Sequence, residues 1–225
     1  LYVNGLYWGV FNWEERTEAD YGATYLGGLK DNIDTVKSAG STGGYSTEMT
    51  DGNWAAWQSL YTQCVALKND TTGEAARTAR YMQMRGLNPD GSRNPGYPVL
   101  LDVDNLADYM LLVFYMGSWD APVIGSGSNN WFGVRDRAGT RGFTFFAHDM
   151  EHGMDTGTNA YNRVGPWGTS GTNNWGQTMY NHRETLASGI YTKSNPHYVH
   201  ELLCYSAEYR QRFADRVQRS FFNGG

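Results

Sequence analysis

Three residues with oxygen-bearing side chains, Asp120, Asn130 and Asp149, punctuate the middle of this 225-residue chain. Moving a phosphoryl group from ATP to a hydroxyl requires a carboxylate that orients or deprotonates the acceptor. It also requires hard oxygen ligands that hold Mg²⁺ against the phosphates. Asp120 follows a strongly apolar run, Asn130 opens an alternating segment, and Asp149 lies just past the end of the next one. In that order Asp120 would act on the acceptor, and Asn130 and Asp149 would hold the metal. Each residue also has a plainer reading. Asp120 fits a turn or helix-end aspartate bonded to nearby backbone, and Asn129 with Asn130 fits a loop pair. Asp149 fits a plain role less easily, because an acid right after Phe143-Thr144-Phe145-Phe146-Ala147 is costly to bury without a metal or a basic neighbour.

Those positions depend on the elements that carry them. Leu1 to Phe11 reads as two strands around the turn Asn4-Gly5, and such a hairpin needs more sheet beside it. The sheet is expected to continue upstream of Leu1, and Phe221-Phe222-Asn223-Gly224-Gly225 reads as a helix end with a glycine stop. The chain is therefore read as an internal piece of a longer protein. Thr17-Glu18-Ala19-Asp20 has capping-box spacing and predicts a short helix running to Gly27-Gly28. Asn32 to Val36 reads as a strand, and Ser38 to Asp51, rich in Gly, Ser and Thr, as loop.

From Trp54 the apolar residues Trp57, Leu60, Tyr61, Cys64 and Leu67 recur at helical spacing, and a second helix is expected over Glu74 to Met84. Gly86 to Pro98 reads as exposed loop. Asp102-Val103-Asp104-Asn105 then precedes a buried helix over Leu106 to Met116. Trp131 to Arg135 and Phe143 to Ala147 read as two strands, and residues 153 to 176 as a long Gly/Asn/Trp-rich loop. Helices over Pro196 to Cys204 and Ala207 to Phe222 close the chain. The fold class is α+β, with a sheet in front and helices behind.

Composition bounds the function. With 40% apolar and 15% aromatic residues, eight of them Trp, the chain can bury a sizeable core. A net charge of −5 and no run of Lys or Arg offer no footprint for nucleic acid. No apolar stretch is long enough to span a membrane. Cys64 and Cys204 read as small buried hydrophobes, with a disulfide between them as the second reading. Low charge with abundant Gly, Asn and aromatic residues leans towards an extracellular or cell-surface setting.

Two other chemistries compete. His148-Asp149-Met150-Glu151-His152 spells H-x-x-E-H, a zinc hydrolase pattern that requires His148 and His152 on one helical face, with Glu184 or Glu201 as a conceivable third ligand. The pentapeptide follows a strand pattern and precedes Gly153 and Gly157, which argues against a helix. Trp167, Trp175, Tyr161 and Tyr180 in the long loop could stack on sugar rings or a partner in a non-catalytic assembly module, or simply pin the loop to the core. His182, His197 and His200 read as helix-surface or core residues. Arg210, Arg212, Arg216 and Arg219 read as a solvated or salt-bridged helix face.

Protein kinases present a catalytic-loop Asp after a buried helix, an Asn opening a hairpin and a metal-binding Asp as that hairpin ends, the order found here. The segments Asn4-Gly5-Leu6-Tyr7-Trp8-Gly9-Val10-Phe11, Glu15-Arg16, Asp102 to Tyr109, Asn129-Asn130-Trp131-Phe132 and His148 to His152 together resemble the CotH kinase family, spore coat protein H-like atypical kinases. The closing Glu208-Tyr209-Arg210 and Arg212 to Val217 resemble its large secreted or surface bacterial members.

The resemblance implies an atypical protein-kinase-like fold, mostly its helical C-lobe with a partial N-terminal sheet, spanning residues 1–225, N-terminally incomplete and continuing past Gly225. It implies transfer of phosphate from ATP, with Mg²⁺, to Ser or Thr of a protein substrate. By position Asp120 matches the catalytic Asp, and Asn130 and Asp149 match the metal ligands. Glu15 matches a recurrent family Glu at the nucleotide cleft. Trp119 and Trp131 flank the site as cleft wall or core, and Trp131 is taken with Glu15 as cofactor-binding. The strands that carry the phosphate-contacting basic residue are expected upstream of Leu1.

Overall fold

The computed structural model describes residues 2–9, 14–39, 47–117, 121–122, 129–150, 153–154, 171–172, 178–179 and 191–222. Asn4 and Gly5 take φ of 50° and 80°, which turns strand β1 (Tyr2–Val3) into β2 (Leu6–Tyr7). Tyr2 and Tyr7 meet edge-on across this hairpin, which forms a separate two-stranded sheet with its side chains exposed. Helix α1 (Ala19–Tyr21) passes into a π-turn, Gly22–Leu26. No side chain of its own caps it. The carboxylate of Asp51 accepts the Ala19 N–H at 3.3 Å, in place of the capping box expected from Thr17.

The site is built around a four-stranded antiparallel sheet in the order β4-β3-β5-β6: β3 (Ile33–Ser38), β4 (Thr47–Asp51), β5 (Trp131–Asp136) and β6 (Thr144–Ala147). β4 lies in the stretch whose composition reads as loop. Its ladder with β3, which sets Lys37 against Glu48, makes the strand where local propensity does not. Side chains alternate between the two faces. Val36, Trp131 and Phe145 join the main core, whereas Ile33 and Val134 pack with Ala19 beneath α1. Gly22 lets α1 come this close, since a Cβ there would lie 2.7 Å from Val134 Cγ1.

Helix α2 (Ala55–Asn69) turns Trp57, Leu60, Cys64 and Leu67 inward, the stripe read from spacing. Trp57 stacks on Trp131 with ring centres 5.9 Å apart and meets Phe143 and Phe145 edge-on. Helix α3 (Glu74–Met84) packs on α2. Helix α4 (Val103–Met116) starts where the Asp102 carboxylate accepts the Asn105 N–H, and ends at Gly117 with φ 59°. The Asn105 side chain then satisfies the free edge of β6, accepting from Phe145 N–H at 2.5 Å and donating to Phe145 C=O at 3.1 Å. Burying an edge strand against a helix requires such a partner.

Helix α5 (Pro196–Leu203) is capped by Asn195 and buries His197 and His200. His200 Nδ1 lies 2.7 Å from the Tyr209 hydroxyl on helix α6 (Ala207–Phe221). α6 returns across α4 through paired ion bridges, Arg212 to Asp104 and Arg216 to Asp108. The arginine row is thus salt-bridged at two of its four positions. No disulfide joins Cys64 to Cys204, and Cys64 lies deep in the core, where burial pushes its thiol pKa up. The fold is α+β, and no described helix is long and apolar enough to cross a membrane.

One buried carboxylate joins β3 to β5. Asp34 is fully buried and accepts from Arg137 Nη1 at 2.6 Å and from Asn53 N–H at 3.0 Å, with Arg135 Nη1 at 3.5 Å. Removing it strands two guanidinium groups, so Asp34→Ala is expected to cost about 3–5 kcal/mol in urea unfolding. A loss below about 1 kcal/mol would place the sheet's stability elsewhere. A second expectation concerns pH. Hydrogen bonds from Arg212 hold the Asp104 carboxyl below its usual range, so its contribution is present above the unfolded value near ~4 and lost as pH falls through the depressed folded value. Thermal unfolding between about pH 6 and pH 3 should therefore show a smaller acid loss of Tm for Arg212→Ala than for the wild type. Parallel curves would show that the bridge carries no linked proton.

Candidate functional site

A cleft of ≈ 390 Å³ opens where β3 ends and β5 begins, lined by Glu14, Arg16, Lys37, Ser38, Asn129, Asn130, Phe132 and His148. The strand register fills it. Lys37 stands directly opposite Phe132 across β3 and β5, and its ammonium lies 5.7 Å from the centre of that ring. On the other side the ammonium reaches Glu48 Oε1 at 2.9 Å. The Lys37 side chain is only 17% exposed, so it is a partly dehydrated cation fixed between a carboxylate and an aromatic face. At the rim His148 Nδ1 meets Glu14 Oε1 at 2.6 Å, Arg16 bridges Glu18, and Ser38 Oγ donates to Asn129 Oδ1 at 3.0 Å.

Asn130 and Asp149 occupy the two corners of the β5–β6 hairpin at this end. Both take left-handed backbone, φ 56° and 49°, two of the four non-glycine residues among those described that do so. Asn and Asp tolerate that region better than other side chains. The Asn130 amide donates to the Asp149 carbonyl at 2.9 Å and its own carbonyl accepts the His148 N–H at 3.2 Å. The two expected metal ligands are thus joined, with Asn130 buried and the Asp149 side chain exposed. Exposure removes the reason for a metal or basic neighbour that burial would have imposed on Asp149. An amide oxygen and a carboxylate are hard donors of the kind Mg²⁺ takes. Among the described residues no group of three or more His, Cys, Asp or Glu gathers in metal-binding geometry.

Other expected site residues fall elsewhere. Trp131 is 1% exposed and packs between Trp57 and Phe145, because strand alternation sends it to the helical face and sends Phe132 into the cleft. Glu15 is exposed and accepts from the Tyr25 hydroxyl at 2.7 Å, while its neighbours Glu14 and Arg16 line the cleft. Asp120 and Trp119 lie outside the described residues. So do Glu151, His152, Glu184, Tyr161, Trp167, Trp175, Tyr180 and His182. His148 follows β6 and pairs with Glu14, and residues 148–150 form no helix, so the zinc pattern lacks its helical start. Glu201 instead lies 3.6 Å from His197.

Lys37 is the cleft residue that the sequence reading did not single out. Its signal was present: Asp34 and Lys37 are the charged positions of β3, Ile33–Ser38, whose first four residues are buried. Its partner Glu48 went unseen because β4 read as loop.

The cleft thus sets a partly buried lysine, Lys37, in the same pocket as the Asn129 and Asn130 amides and the Glu14–His148 pair, at one end of the β5–β6 hairpin. The chain belongs to the CotH kinase protein family, whose sequence profile matches residues 1–221. No curated protein and no solved structure matches the chain.

The left-handed corner yields a test. Both Asn130→Gly and Asn130→Ala lose the bond to Asp149, but only glycine keeps free access to φ 56°. Asn130→Gly is expected to unfold at higher urea than Asn130→Ala, by about 1 kcal/mol. The reverse order would show that the backbone does not select the residue.

Proposed function

We propose that this protein is an atypical kinase that transfers the γ-phosphoryl group of ATP to Ser or Thr of a protein substrate, using the cleft between Lys37 and Asn130. The observation that carries the reading is Lys37, held by Glu48 against the Phe132 ring in the cleft that Asn130 borders. A fixed, weakly solvated ammonium binds phosphate oxygens without first giving up much side-chain freedom or water. Membership of the CotH kinase family supports the same chemistry.

The parts divide as follows. Lys37 contacts the phosphates, and Glu48 positions it. Asn130 and Asp149 are the residues that would hold Mg²⁺, which would supply charge neutralisation at the phosphates. The Asp120 carboxylate orients the acceptor hydroxyl and takes its proton as the oxygen attacks phosphorus and ADP leaves. Phe132 gives the cleft an apolar wall, and the Glu14–His148 pair borders its entrance.

Calorimetry with Mg-ATP tests this directly. Wild-type protein should bind, and Lys37→Met and Asp149→Ala should each bind at least about tenfold more weakly, a loss of about 1.4 kcal/mol. Failure of the wild type to bind, or equal binding by all three, would overturn the reading and leave a non-catalytic assembly module on the same fold.

A further inference from the structure

The opposite end of the β5–β6 hairpin carries a second cleft of ≈ 500 Å³, bounded by Arg85, Arg93 and Arg141 with Asp102, Asp104 and Gly142. Its charge is unbalanced. Asp102 spends its carboxylate on the Asn105 N–H, and Asp104 is taken by a two-pronged bridge to Arg212. Among the described residues none of the three lining arginines is ion-paired with a carboxylate; Arg85 exerts only a weaker pull on Asp104 from beyond that range. This happens in a chain whose net charge is −5, so the positive charge is local to the cleft.

The cleft is also built rather than incidental. Arg93 is anchored to the carbonyls of Gly86, Asn94 and Tyr97, which fix the guanidinium without neutralising it. Arg85 lies 5.2 Å over the Tyr81 ring. Gly142 brings the hairpin turn onto Leu101 so closely that a Cβ would sit 2.0 Å from the Leu101 nitrogen, which leaves Arg141 exposed beside the two anchored cations. Guanidinium groups held in place match carboxylate and phosphate oxygens with two parallel hydrogen bonds each.

We infer that this cleft binds an acidic segment of a polypeptide, with carboxylates or phosphate esters set against Arg85, Arg93 and Arg141. The cleft is separated from Asn130 by the length of β5, about 20 Å, a span that about six extended residues cover. Resting on the kinase reading, the bound segment belongs to the protein substrate and docks it at a fixed distance from the phosphorylated hydroxyl.

Fluorescence anisotropy without nucleotide separates docking from catalysis. Fluorescein-labelled hexaglutamate and a phosphoserine peptide of the same length are titrated with wild-type chain, Arg141→Glu and Arg219→Glu, the last altering a cation on α6 outside the cleft. The wild type should bind at least one peptide, Arg141→Glu should weaken it about tenfold or more, and Arg219→Glu less than about twofold. Tighter binding of the first peptide assigns carboxylates, and of the second phosphate esters. No binding of either peptide to wild type at about 1 mM, or equal losses in both variants, overturns the proposal. Peptide binding with no Mg-ATP binding would keep the docking site while the kinase reading fails.

Discussion

The ladder between β3 and β5 is the constraint on which the rest depends, and Asp34 fixes it. A carboxylate with no solvent contact must find its compensation inside the protein, and it does so from Arg135 directly opposite and from Arg137 just past the strand. A slip of one residue would break that pairing and turn every side chain of β5 to the other face. Trp131 would leave its stack on Trp57, and Phe132 would leave Lys37. One electrostatic requirement thus sets both the core and the cleft.

The helices make this sheet permanent rather than merely possible. Asn105 occupies the hydrogen-bonding edge of β6, and the Trp57, Trp131, Phe143 and Phe145 rings lock the same strands from the face. With β6 held on two sides, its corner at Asp149 has little freedom. The backbone leaves the ladder through left-handed residues at Asn130 and Asp149, both of types that accept this conformation cheaply. Corners of this kind place polar side chains at the rim of a sheet, with Asp149 exposed there and Asn130 buried and bonded back to the Asp149 carbonyl.

Helical periodicity was legible wherever a stripe had to meet the core: Trp57, Leu60, Cys64 and Leu67 mark α2, and the bounds of α3 were read residue for residue. The Asn4-Gly5 hairpin and both strands of the β5–β6 hairpin were equally plain. β4 was not, because Thr47–Asp51 is a strand only through its pairing with β3, a long-range property that local composition does not carry. The same gap hid Glu48 and with it the ion pair that holds Lys37. Trp131 shows a different limit. Alternation reveals that neighbours face opposite ways, but not which neighbour faces the cleft, and that choice follows from the Asp34 register. That Asn130 and Asp149 meet at one end of the hairpin was legible because hairpin order is itself a sequence property.

The β5–β6 hairpin therefore does more than carry two donors. Its Asn130 and His148 end forms one cleft, and its turn at Arg141 and Gly142 forms another. Its middle is clamped by β3 on one edge and Asn105 on the other. A strand held along its length transmits no hinge motion between its ends, so the separation of the two clefts is set by strand rise rather than by loop conformation. On the docking proposal, a segment held at the cationic end would reach the lysine end across the length of β5, so that selectivity would come from the spacing between two features of a partner as well as from the chemistry of either.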